Sequence, residues 1–119
     1  MGFFSSLLKS VAQVAGSATL KGAYLDKKAP NMPGVYKVFY QGQLMKVGKA
    51  SDGLRKRFSD YYRGRSGGTA GLKYITEENR DSIRVSWLVC PTSKTRALEE
   101  KWYDVAKDNG EELPWSDRR

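Results

Sequence analysis

Seven cations stand between residues 46 and 65, namely Lys46, Lys49, Arg55, Lys56, Arg57, Arg63 and Arg65, against only Asp52 and Asp60. This short stretch carries most of the chain's net charge of +8. Tyr61 and Tyr62 are interleaved with the cations, and the run 63–71 (RGRSGGTAG) follows with four glycines and no large apolar side chain. Cations displace the counterions of phosphates and aromatic faces stack on unpaired bases, so the stretch has the chemistry of a nucleic-acid surface. The competing readings are a solvated basic helix face for the charges and core packing for the tyrosines.

Any catalysis must run on a restricted set of groups. The chain has no histidine and one cysteine. This excludes Ser/His/Asp and Cys/His nucleophile systems, histidine acid–base catalysis, Cys/His zinc sites and an internal disulfide. Tyr, Lys, Arg, Asp and Glu remain, with a carboxylate-bound hard cation such as Mg²⁺. Cys90, inside the apolar run Trp87-Leu88-Val89-Cys90, reads as a small buried hydrophobe.

The elements that must position these groups can be read from periodicity. With 119 residues, 39% of them apolar, the chain is long enough for one domain with a core. Residues 35–40 and 44–47 are two short β-type runs around Gln41-Gly42-Gln43, which predicts a hairpin. Leu54, Phe58, Tyr61 and Tyr62 then recur at helical spacing. Residues 63–71 read as an exposed loop, 72–81 as a short helix, and 82–90 (SIRVSWLVC) as a third strand. Thr92 or Ser93 can cap a final helix whose apolar row is Leu98, Trp102 and Val105.

Residues 1–20 differ in composition from the rest, with Lys9 as their one charged side chain. Phe4, Leu7, Leu8, Val11, Val14, Ala15 and Ala18 fit a helical period, which predicts an amphipathic helix. Lys9 sits inside the apolar run rather than before it, unlike a secretory signal. A membrane-surface helix carries more cations on its polar face, so packing onto the domain, a second copy or a protein partner is the expectation. The Pro- and Gly-containing segment 21–33 reads as a linker. The expected division is residues 1–29 as helix and linker and residues 30–119 as the functional domain.

Four motifs in order carry a family resemblance. Gly34-Val35-Tyr36, Lys46-Val47-Gly48-Lys49-Ala50, Leu54-Arg55-Lys56-Arg57-Phe58, and Leu98-Glu99 followed by Trp102-Tyr103 resemble the GIY-YIG nuclease superfamily. The resemblance spans residues 30 to about 116. It implies a small α/β (α+β) fold with a three-stranded antiparallel sheet flanked by helices, here with an added N-terminal helix. It also implies hydrolysis of DNA phosphodiesters with one divalent metal, Mg²⁺ or Mn²⁺. Carried over by motif, Glu99 is the metal ligand, and Arg57 faces the scissile phosphate. Tyr36 is the phenol that positions or deprotonates the attacking water, and Lys49 supplements the phosphate contacts. Gly34 and Gly48 permit close backbone approach. Arg55, Lys56, Arg63 and Arg65 are the further DNA-binding candidates.

Two departures from the family pattern bear on mechanism. The second motif begins with Lys46 where the family carries a tyrosine, as in branches similar to the phage T5-type domain. Lys46 can serve as a base only if burial or neighbouring cations, Arg57 and Lys49 among them, lower its pKa. The asparagine expected after the glutamate has no clear counterpart, Ser116 and Asn109 standing nearest. The expectation is a cytoplasmic, phage-type DNA endonuclease of little intrinsic sequence specificity, without a membrane span. The alternative is a catalytically inactive nucleic-acid-binding module of the same fold.

Overall fold

The computed structural model describes residues 15–64 and 74–116. The hairpin lies where the alternation predicts it, as β2 (Gly34–Tyr40) and β3 (Gln43–Ala50). Gln41 and Gly42 turn the chain with φ of 52° and 77°, the doubly positive pattern that matches the twist of the flanking strands. β4 (Ile83–Val89) pairs antiparallel with the other edge of β2 and sets Trp87 opposite Tyr36.

The sheet has four strands among the described residues, which corrects the expected three. Ala15–Thr19 forms β1, antiparallel to the outer edge of β4, and the order is β1-β4-β2-β3. The predicted N-terminal helix therefore does not run through Ala15 and Ala18; its earlier residues lie outside the described ones. The physical reason is tertiary. Pairing satisfies backbone groups that would otherwise line an open edge of β4. Gly16 faces Trp87 across the ladder, where a Cβ would come within 2.7 Å of the indole. Thr19 then caps α1 (Leu20–Tyr24), its Oγ1 accepting from the Gly22 N–H at 2.9 Å. Part of the expected linker is thus a short helix that buries Leu20 and Ala23.

Strand alternation sends two sets of side chains to opposite faces. Tyr36, Val38, Val85 and Trp87 form one core with Leu20 of α1 and with Leu54, Phe58 and Tyr61 of α2 (Leu54–Arg63). Leu44 and Val47 form the second with Tyr103 and Ala106 of α3 (Thr92–Asp108). The register shifts between Val38 and Phe39, so Met45 bulges from β3, and its carbonyl accepts the Trp115 N–H at 2.9 Å. Trp115 lies between the rings of Tyr40 and Tyr74, which anchors the chain beyond α3.

Three local expectations are corrected. Pro91 occupies the cap position of α3, while Thr92 Oγ1 donates to the Ser51 carbonyl at 3.3 Å, tying the helix start to the end of β3. The buried side of α3 is Thr95, Tyr103 and Ala106, and Val105 of the expected apolar row is 50% exposed. In the expected helix 72–81, residues 77–79 form a turn that leads into a single 3₁₀ turn, Arg80–Ser82. Residues 65–73, which include Arg65 and most of the expected glycine loop, lie outside the described residues.

Candidate active site

The centre of the site is Tyr36, which enters the core from the middle of β2 and is 1% exposed. Gly48 is its cross-strand partner on β3. A Cβ at Gly48 would stand 2.5 Å from both Cζ and Oη of Tyr36, so the phenol lies directly on the backbone of the second motif. Gly34 is equally constrained, since a Cβ there would strike the Leu88 carbonyl oxygen and come within 2.8 Å of Leu54 Cδ1. The two motif glycines are there because the packing has no room for a side chain.

From α2, Phe58 meets the Tyr36 ring edge-on at 5.4 Å, and Tyr61 does so at 5.9 Å. The Tyr61 and Tyr36 hydroxyls share a buried hydrogen bond. Burial holds the Tyr36 hydroxyl well above the ordinary phenol range, and the Tyr61 hydroxyl pushes it further up. The Arg57 charge opposes that rise and the Glu99 charge adds to it. The charges of Arg57 on α2 and Glu99 on α3 therefore act on the Tyr36 phenol in opposite senses.

Arg57 lies one turn before Tyr61 on α2, and its side chain is 19% exposed. It pairs with Asp52 at 3.9 Å, and its buried Nε has no hydrogen-bond partner among the described residues. A guanidinium N–H withdrawn from water and left unpaired costs about 1–3 kcal/mol. Glu99 is half-buried, one helical turn after the buried Thr95, whose hydroxyl lies 3.3 Å from Ser51 Oγ.

Lys46 stands opposite Val38, two residues from Gly48, and so shares the face of the phenol. Lys49 pairs with Val35 and emerges on the other face, the side covered by α3. The predicted cations on α2 have diverged in role. Arg55 Nε donates to the Ala29 carbonyl at 2.9 Å and pins the segment between α1 and β2. Lys56 is exposed and paired with Asp52 at 2.9 Å and Asp60 at 3.8 Å. Arg63 is exposed near Ser59 Oγ, at 3.3 Å.

Tyr61 is the site residue that reading the sequence missed. Its i+7 spacing from Leu54 marks it for the core, where it does lie, but nothing local reveals a hydroxyl partner 25 residues away.

Among the described residues no group of three or more His, Cys, Asp or Glu side chains could cage a metal. Glu99 alone suits a hard cation such as Mg²⁺, which retains several waters and takes one or two carboxylates together with substrate phosphate oxygens.

No family profile and no curated protein matches the chain. The solved structures similar to it include those of one nuclease domain. A point mutant of the GIY-YIG N-terminal endonuclease domain of UvrC from Thermotoga maritima, bound to its catalytic divalent cation, is 21% identical. The match covers 76% of this chain and 88% of that one with a TM-score of 0.48. The same domain bound to magnesium is 20% identical over 74% of this chain and 86% of its own, with a TM-score of 0.47. No described helix is long and apolar enough to cross a membrane.

Proposed function

We propose that the chain is a metal-dependent endonuclease that hydrolyses DNA phosphodiester bonds with little sequence recognition of its own. What supports this reading is the Tyr36 phenol held on the Gly48 backbone, with the weakly paired Arg57 one turn before Tyr61, the phenol's hydroxyl partner, and Glu99 of α3 as the carboxylate. A cation and a carboxylate around a positioned hydroxyl are the parts that an in-line phosphoryl displacement needs.

On this reading Arg57 donates to a non-bridging oxygen of the scissile phosphate and stabilises the charge that develops there. Glu99 holds Mg²⁺ or Mn²⁺, which when bound supplies Lewis-acid polarisation and a template for the attacking water. Tyr36 keeps its proton at neutral pH, so it is not the base. The water's proton is assigned to Lys46, on the same sheet face as the phenol.

Incubation of the purified protein with supercoiled, linear and single-stranded DNA tests the proposal. Cutting that requires Mg²⁺ or Mn²⁺, stops with EDTA and is lost in Glu99→Ala supports it. Salt-sensitive DNA binding without cutting under any of these conditions would replace it with a binding module of the same fold.

A further inference from the structure

A second arginine has the same unusual property as Arg57. Arg80 Nε is buried and has no hydrogen-bond partner among the described residues. Arg80 borders a cavity of about 230 Å³ with Tyr61, Arg63, Gly64, Ile75 and Glu77 among its walls. Its guanidinium is already fixed. Cζ lies 4.3 Å above the Tyr62 ring, and Nη1 donates to the Tyr62 carbonyl at 2.9 Å. Tyr62 is itself held, since its hydroxyl donates to Asp81 at 2.8 Å and its ring meets Tyr24 at 5.9 Å. A planar cation immobilised by stacking loses little freedom when it takes an oxyanion.

We propose that this cavity is a second phosphate subsite, in which Arg80 and Arg63 hold a backbone phosphate of the bound DNA apart from the one that Arg57 engages. The inference rests on the nucleic-acid reading of the Tyr36 site. Arg63 follows Arg57 by six residues, about 9 Å along the helix axis and about 120° around it, so the two side chains leave α2 on different sides. The subsite holds a phosphate apart from the Arg57 position, without reading bases. Glu77 is the carboxylate in the wall, and it limits affinity by repulsion.

The test is fluorescence anisotropy of a labelled single-stranded oligodeoxynucleotide in EDTA, titrated between 50 and 200 mM salt, so that hydrolysis plays no part. Arg80→Ala weakens binding by about tenfold and flattens the slope of log K against log salt by about 0.7, the value for one lost phosphate contact on a single strand. Arg63→Ala, at an exposed position, does the same, and Glu77→Gln tightens binding. If Arg80→Ala does not fold, the other two variants decide. Wild-type affinity and slope in both overturn the subsite while leaving the proposed nuclease intact. A wild-type protein that binds no DNA overturns both.

Discussion

The Tyr36 ring lies on the Cα of Gly48, across a β2–β3 pair that leaves no volume for a methyl group. Gly48→Ala must therefore displace either the phenol or the strand. We expect a loss of stability of about 1–3 kcal/mol in urea denaturation. Hydrolysis falls further, by about 100-fold, because a displacement of about 1 Å at a reacting centre has that effect.

The shared hydrogen bond of Tyr36 and Tyr61 makes their contributions non-additive. Tyr36→Phe or Tyr61→Phe alone leaves one buried hydroxyl without its partner and destabilises by about 1–3 kcal/mol. The double variant removes both groups and is less destabilised than the sum of the two. A double-mutant cycle on denaturation midpoints measures the coupling. Strict additivity would contradict the pairing.

Legibility in the sequence followed the range of the interactions. The hairpin, α2, β4 and α3 rest on local periodicity and turn chemistry, and each lies within a few residues of its expected place. β1 was not legible. Ala15-Gly16-Ser17-Ala18-Thr19 has little intrinsic β preference, and it becomes a strand through the open edge of β4 and the indole of Trp87. Within Arg55-Lys56-Arg57 the three cations look equivalent in sequence. Helix geometry turns one onto the Ala29 carbonyl, one to solvent beside Asp52, and one into a largely buried place at 3.9 Å from Asp52. The motif glycines were legible as positions, but the phenol that requires Gly48 to lack a side chain became visible only in three dimensions.

Arg57 separates activity from stability. Its Nε lacks a partner among the described residues and its pairing with the half-exposed Asp52 is long, so its removal sacrifices little folding energy. Arg57→Ala is expected to match or slightly exceed the wild-type denaturation midpoint while hydrolysis falls by about 100- to 1,000-fold. Arg57→Lys keeps the charge but not the planar fork and recovers only part of the rate. A variant that unfolds would show that Arg57 serves the fold.

Alkaline stability tests the state of the phenol. Tyr36 ionises near pH 10 in the unfolded chain and well above it in the folded one, first because it is buried and then because Tyr61 stands beside it. Its contribution is whole below about pH 10 and is lost as pH rises toward the folded value, since the unfolded state alone can release the proton. Denaturation midpoints measured from pH 9 upward should fall less steeply for Tyr36→Phe than for wild type. Equal slopes would mean that the hydroxyl is not buried as described.

The most direct test of the central claim is single-turnover hydrolysis of a labelled DNA oligonucleotide by wild type and Glu99→Ala, with Mg²⁺ and with EDTA, alongside binding in EDTA. The account predicts cutting by wild type with Mg²⁺ alone, no cutting by Glu99→Ala, and DNA binding by both. Cutting by Glu99→Ala at the wild-type rate, or wild-type cutting that persists in EDTA, would contradict it.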